Sequence, residues 1–363
     1  MDFKNLNSSK REESVETFES GPSHDRITRD VLISRKARKI KFDSHVHLDG
    51  PFSEGSARHG LTPTELINEL VESSDTVDIL AITNHNNVDR EGRQEVVDKI
   101  RGRTHRNIEI LLGAELNLRY QDRTFHVNVI FKDASTDYEA PESRKITLEE
   151  LQELKEKNDI VIILNHPFWR AKSKNAEQTY QIITSLLETG VIDGYEMLHG
   201  SYLRNFTERR SNEKLINMDD SKRLYNIQST IRCFIDFVLN NPAKKLAAIG
   251  SSDIHRPGAI GSAYTSYFGS NASLFSSIRA GKTKATAEGQ KIAVLIQRCL
   301  RSMNLSKREK SVFHKNVELD RINFSSIKKK AEEDKRKKTN GQRKKRRGYR
   351  NNAVSHRKKR NSS

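Results

Sequence analysis

The stretch Asp43-Ser44-His45-Val46-His47 gathers three groups able to bind a cation or move a proton. It follows Lys39-Ile40-Lys41-Phe42, which reads as a short buried strand. Side chains alternate along a strand, so histidines two positions apart point the same way. Two imidazoles at the mouth of a sheet are poor core material and good metal ligands. Taken alone, the pair is equally consistent with two ordinary surface histidines.

The residues just past the other apolar runs change that balance. Thr83-Asn84-His85 follows Leu80-Ala81-Ile82, and Gly113-Ala114-Glu115 follows Ile110-Leu111-Leu112. Asn165-His166-Pro167 follows Ile163-Leu164, and Ser251-Ser252-Asp253-Ile254-His255 follows Ala248-Ile249-Gly250. His126 lies within the strand-like Phe125 to Phe131. A chance scatter of 12 histidines would supply one or two such positions, not one at nearly every strand end. Several imidazoles and several carboxylates crowded into one cleft repel their own kind and are costly to bury unless cations sit among them. A His and carboxylate set without thiolates suits Zn²⁺, Mn²⁺ or Fe²⁺. The set is too large for one ion. Two or three metals sharing a carboxylate fit it, and such sites hydrolyse phosphate esters.

Alternating strands and helices must bring these residues together. Strands are expected at Val77–Ile82, Ile108–Leu112, Phe125–Phe131, Ile160–Leu164, Ile192–Met197 and Leu246–Ile249, besides the first. Helices are expected at Thr62–Ser73, Asp89–Gly102, Thr147–Lys157, Ala176–Glu188, Ser221–Leu239 and Asn271–Ala280. Thr62-Pro63-Thr64-Glu65 and Thr147-Leu148-Glu149-Glu150 have the form of capping boxes. Ile160-Val161-Ile162-Ile163-Leu164 is apolar throughout, as a strand buried on both faces must be. This alternation predicts a parallel β/α architecture, either an open doubly wound sheet or a barrel. Both place their sites at the carboxyl ends of the strands. No glycine-rich nucleotide loop follows any strand.

His45-Val46-His47, Thr83-Asn84-His85, Gly113-Ala114-Glu115, Asn165-His166-Pro167 and Ser252-Asp253-Ile254-His255 resemble, in order, the motifs of the PHP (polymerase and histidinol phosphatase) family. Ile278-Arg279-Ala280-Gly281-Lys282-Thr283 resembles the segment that closes many such domains. The resemblance covers about Ile40 to Thr286. It implies a distorted seven-stranded (β/α)7 TIM-like barrel with a trinuclear metal centre at its C-terminal face. Carried over, His45, His47, Glu115 and Asp253 would hold one metal, and Glu115 would bridge to a second held by His126 and His166. His85 and His255 would hold a third, with His59 preferred as the loop ligand and Asp49 as the alternative. Glu115, Asp253 and His255 would carry the catalysis, through a metal-activated hydroxide attacking phosphorus in line. The family commonly has Asp where this chain has Asn84, which would alter ligand tuning more than metal count. Arg170 and Arg256 are candidate phosphate contacts, with Arg58 and Arg119 behind them, and His199 a candidate substrate contact. Trp169 would wall the pocket or pack simply.

The formal net charge of +17 is local. From Lys307 to Ser363 there are 22 Lys/Arg against six Asp/Glu, so the remainder is close to neutral. The expected organisation is a disordered segment over 1–38, the barrel over 39–288, a helix over 289–305 and a disordered basic tail over 306–363. Basic runs of this kind bind polyanions by counterion release without reading sequence. Nucleic acid, RNA or DNA, is the expected partner beside a phosphorylated substrate. Cys233 and Cys299 lack a CxxC partner and read as buried free thiols. No secretory signal or membrane span is read, so a cytoplasmic location is expected, or a nuclear one in a host with a nucleus. The leading expectation is a metal-dependent phosphoesterase with two to three divalent ions (Zn, Mn or Fe), acting on nucleic acid or nucleotides. The alternatives are a small-molecule phosphatase of the histidinol-phosphate kind and a nucleic-acid-binding protein on a non-catalytic scaffold.

Overall fold

Hydrophobic strands buried on both faces cannot stand alone. In the computed structural model they join into one 11-stranded mixed sheet that curls into a nearly closed barrel. The structure describes residues 38–48, 60–72, 77–103, 107–140, 145–168, 175–201, 203, 218–255, 257–258, 260–288 and 290–319. The expectations for 1–37, the loop 49–59 and 320–363 lie outside these residues.

The strands are β1 (Arg38–Val46), β2 (Ile79–Ile82), β3 (Glu109–Tyr120), β4 (Arg123–Phe131), β5 (Ile146–Thr147), β6 (Ile160–Leu164), β7 (Gly194–His199), β8 (Ala247–Ser251), β9 (Ala263–Gly269), β10 (Lys284–Ala287) and β11 (Val317–Leu319). The helices are α1 (Pro63–Glu72), α2 (Arg90–Ile100), α3 (Leu148–Lys157), α4 (Ala176–Glu188), α5 (Met218–Asn240), α6 (Leu274–Arg279), α7 (Gln290–Ser302) and α8 (Lys307–Asn316). The barrel staves run β1-β2-β3-β4-β6-β7-β8, which are the seven strands expected. All five residues of β6 are buried. Both capping boxes form. The Glu150 N–H donates to Thr147 Oγ1 (3.3 Å) and the Thr147 N–H to Glu150 Oε2 (2.9 Å). The Thr62 and Glu65 pair does the same.

Three features depart from the sequence reading. First, the sheet is not uniformly parallel: β4 is antiparallel to both β3 and β6. A tight turn at Gln121, whose φ is +53°, joins the long β3 directly to β4. The reversal puts His126, near the start of β4, opposite Asn117, two residues beyond Glu115. Second, β9 and β10 extend the sheet beyond β1. Their short, polar sequences, Ala263-Tyr264-Thr265-Ser266-Tyr267-Phe268-Gly269 and Lys284-Ala285-Thr286-Ala287, lack a long apolar run. Third, the fold does not stop at residue 305. Ser306 caps α8 with a complete capping box, Phe313 and Val317 are buried, and β11 adds to β10 in parallel. Residues 306–319, expected to open the disordered basic tail, thus belong to the fold.

The barrel closes where its chemistry lies. Val46 and Ile254 form a parallel bridge, and the Ser252 N–H donates to Asp43 Oδ1 (3.0 Å). Further down, the Gly250 N–H donates to Thr265 Oγ1 (3.2 Å) and Thr283 Oγ1 donates to the Ala248 carbonyl (2.9 Å). No described helix is long and apolar enough to cross a membrane.

Candidate metal centre

Because β1, β2, β3, β6, β7 and β8 run the same way around the barrel, the residues at their carboxyl ends converge. His45 and His47 come from β1 and just beyond it, Glu115 from β3, His166 from after β6, His199 from the end of β7 and Asp253 from after β8. His45, His47, Glu115, His199 and Asp253 are buried.

The tightest group surrounds His45. Its Nε2 lies 3.0 Å from His47 Nε2, 3.4 Å from Glu115 Oε2 and 3.4 Å from Asp253 Oδ1. His47 Nε2 lies 3.6 Å and 3.2 Å from the same two oxygens. A tetrahedral cation with bonds of about 2.0–2.1 Å separates its ligand atoms by about 3.3 Å, so this cage has the size of a metal site. Glu115 faces both ways. Its Oε1 lies 3.1 Å from His126 Nδ1 and 3.2 Å from His166 Nε2, and its Oε2 lies 2.7 Å from His85 Nδ1. His47, His85 and His255 form a further group, with rings 4.5 Å apart for His47–His85 and for His47–His255. Each of these groups can hold a metal ion, and one carboxylate links them.

Electrostatics agree with a cation site. Burial alone would raise Glu115, yet His45, His85 and His126 hold it well below the usual carboxylate range. Asp253 is likewise held low by His45 and His199 against its burial. Burial drives His47 down to about 3, so its ring is neutral, as a metal ligand must be. Burial also lowers His45, but the Glu115 and Asp253 carboxylates outweigh it and raise the ring well above its ordinary value. That proton must leave when a cation binds.

The backbone is shaped for this purpose. His166 and Asp253 have φ of +21° and +46°, a region that side chains other than glycine rarely adopt and that concentrates at functional sites. The Glu115 N–H donates to the Asn84 carbonyl (3.0 Å) and the Asn86 N–H to the Glu115 carbonyl (2.8 Å), so the loop bearing His85 is stitched to β3. Asn84, where the family commonly has Asp, turns its side chain away from the histidines. Its Oδ1 accepts the Leu48 N–H (2.7 Å) and its Nδ2 donates to Asp89 (3.1 Å). The amide thus holds the strand-end loops together.

A family model described as PHP-associated matches residues 243–283, the segment containing β8, Asp253, His255, β9 and the turn at Gly281. Over that segment the chain is similar to the PHP-associated family. No curated protein matches it. Solved structures similar to it include a two-domain protein containing a predicted PHP-like metal-dependent phosphoesterase from Bacteroides vulgatus (18% identity, 73% of this chain and 70% of that one, TM-score 0.45). An amidohydrolase from Chromobacterium violaceum, with bound sulfate and no metal, is also similar (14%, 61% and 89%, TM-score 0.39).

Two supporting groups in this barrel carry no motif in the sequence. Glu196 is buried on β7, accepts the His166 N–H (2.5 Å) and a hydrogen bond from Ser251 Oγ, and lies 3.7 Å from His45 Nδ1. Its signal was a lone carboxylate inside the otherwise apolar run Tyr195-Glu196-Met197-Leu198. Asn165 Nδ2 donates to Glu115 Oε1 (3.1 Å) and to Asn128 Oδ1 (2.7 Å), and Asn128 donates to the Ser44 carbonyl. His199, expected to contact substrate, is buried in the same cluster, with its Nε2 2.8 Å from Asp253 Oδ2. Arg119 is exposed close to the β3–β4 turn. His59, Asp49, Arg58, Trp169, Arg170 and Arg256 lie outside the described residues.

Proposed function

We propose that this chain is a metal-dependent phosphoesterase of the PHP type. The observation that carries the reading is Glu115, a buried, ionised carboxylate with its two oxygens turned to different groups of histidines. Two or three divalent ions fit that arrangement: one held by His45, His47, Glu115 and Asp253, one by Glu115, His126 and His166, and one by His85 and His255 with a loop ligand. When bound, such ions supply an activated water and neutralise charge on a phosphate ester. The chain's own residues set the geometry. Asn165 holds the Glu115 carboxylate, Glu196 fixes the peptide of His166, and Asp43 ties β1 to the loop bearing Asp253 by accepting the Ser252 N–H. Bound divalent ions would make the cleft favour an anionic substrate, and the strongly basic sequence after Leu319 favours a polynucleotide or nucleotide among anions.

The deciding experiment measures bound metal in protein purified without chelator and turnover of a small phosphodiester and a phosphomonoester with added Mn²⁺ or Zn²⁺. Two to three ions per chain, with turnover lost in Glu115→Gln, is the expected result. Preference for the monoester would favour a small-molecule phosphatase. A folded, metal-supplied sample that neither binds metal nor turns over either ester would overturn the reading and leave a binding scaffold.

A further inference from the structure

Helix α5 turns one stripe toward the barrel, and Ile227, Ile231 and Phe234 on that stripe are buried. Asn226 opens the same stripe and is only 5% exposed. Its Oδ1 is buried without a hydrogen-bond partner among the described residues. A buried polar group left unpaired costs stability, so an apolar side chain would serve the fold better at this position. An amide in that state calls for a partner from outside the fold.

The surroundings say what kind of partner fits. Asn226 lines a cavity between α5, the end of β7 and the segment after β6. Phe168, Met197, Leu203 and Ile227 give it apolar walls, and the candidate metal ligand His166 lines it together with His199. Neighbouring polar groups are engaged. Glu196 accepts the His166 N–H (2.5 Å) and a hydrogen bond from Ser251 Oγ, His199 Nε2 lies 2.8 Å from Asp253 Oδ2, and the Thr230 carbonyl accepts the Tyr195 hydroxyl (3.1 Å). Asn226 therefore offers an open acceptor. The free space is about 30 Å³. One water-sized group needs about 10–15 Å³, so a hydroxyl enters and an aromatic ring does not. Apolar walls around a single placed amide suit a hydroxyl carried on carbon.

We propose that Asn226 is a specificity-determining residue that accepts a hydrogen bond from a substrate hydroxyl on the carbon next to the one bearing the phosphate ester. The substrate class is then a phosphate ester of a polyol or sugar, ribose included. This rests on the phosphoesterase reading, which places the phosphate at metals held in part by His166. Because His166 also lines the cavity, a hydroxyl on the neighbouring carbon is the nearest polar group that such a substrate can send into it.

The test uses the full-length protein supplied with Mn²⁺ and two matched pairs of esters: 1,2-propanediol 1-phosphate against 1-propyl phosphate, and adenosine 3′-monophosphate against its 2′-deoxy analogue. The unsubstituted protein should prefer the hydroxyl-bearing member of at least one pair by about tenfold or more in kcat/KM, since the analogue leaves the amide unpaired. Preference in the first pair alone marks a small polyol ester, and preference in the second marks a ribonucleotide. In Asn226→Leu, which removes the amide at nearly constant volume, the ratio within the preferred pair should fall to within about threefold of 1, with a Tm no lower than before. Asn226→Ala should lose the preference likewise and guards against a poorly folded Leu variant. Equal kcat/KM for both members of both pairs in the unsubstituted protein, or a preference that survives in both variants, would overturn the proposal and leave a buried water as the partner of Asn226. Absence of turnover on every ester would instead count against the phosphoesterase reading. Calorimetric Kd values for the same pairs would then still decide the role of Asn226.

Discussion

Asp253 divides its work between two oxygens. Oδ1 faces His45 and His47, and Oδ2 lies 2.8 Å from His199 Nε2. A carboxylate restrained in this way presents one oxygen to a cation in a fixed orientation, and loss of such an outer partner typically costs 10–100-fold in metal affinity. His199→Ala should therefore bind the same number of ions at saturation and release them about 10–100-fold more readily to a competing chelator. A drop of one ion per chain at saturating metal would show instead that His199 is itself a ligand. Asn165 and Glu196 belong to the same class of support. Neither would be found by searching for ligand spacing, because each acts through a hydrogen bond made only in the fold.

At the scale of elements, the site depends on how closely β8 approaches β9. A Cβ at Gly250 would stand 2.5 Å from the Tyr264 carbonyl oxygen and about 3 Å from its backbone carbon and nitrogen. Backbone cannot rotate aside as a side chain can, so Gly250→Ala must push the strands apart. Overpacking of this kind typically costs about 1–3 kcal/mol. Because Asp253 follows three residues later, the variant should show both a lower Tm and weaker metal retention. A normal Tm and full metal content would mean that the strands yield without cost. The long β3 plays the complementary part. By carrying on past Glu115 into a turn and back through β4, it supplies Glu115 and His126 to one group from adjacent strands.

Across the whole molecule, the two thiols record how completely the helices cover the barrel. Cys233 on α5 and Cys299 on α7 are free and buried. Burial pushes them up to about 12 and about 11, from an ordinary 9.0. The folded chain thus holds both thiols protonated where the unfolded chain ionises them. Their contribution to stability is intact below pH 9.0 and declines as the pH rises from there through 11. The slope is up to about 1.4 kcal/mol per pH unit per thiol. Tm measured from neutral to alkaline pH should fall less steeply in Cys299→Ala and in Cys233→Ala than in the unsubstituted protein. Equal slopes would mean that the thiols reach solvent. Slow reaction of both with a thiol reagent under native conditions is the matching expectation.

Much of this was legible in the chain. The apolar runs marked the staves from β1 to β8, and the capping boxes at Thr62 and Thr147 marked two helix starts. A His, Asp or Glu at the carboxyl end of nearly every run pointed to the candidate site, because a strand's direction and period are local properties that fix which way its last side chains point. Tertiary structure decided the rest. The reversal of β4 depends on pairing with β3 and β6, which no local pattern encodes. β9, β10 and β11 lack an apolar run to declare them, and they become strands by pairing beyond β1. Glu196, Asn165 and the second oxygen of Asp253 acquired their roles only when distant strands met. A hydrogen bond between residues 30 to 50 positions apart follows from strand order and register, and those are set by the whole barrel.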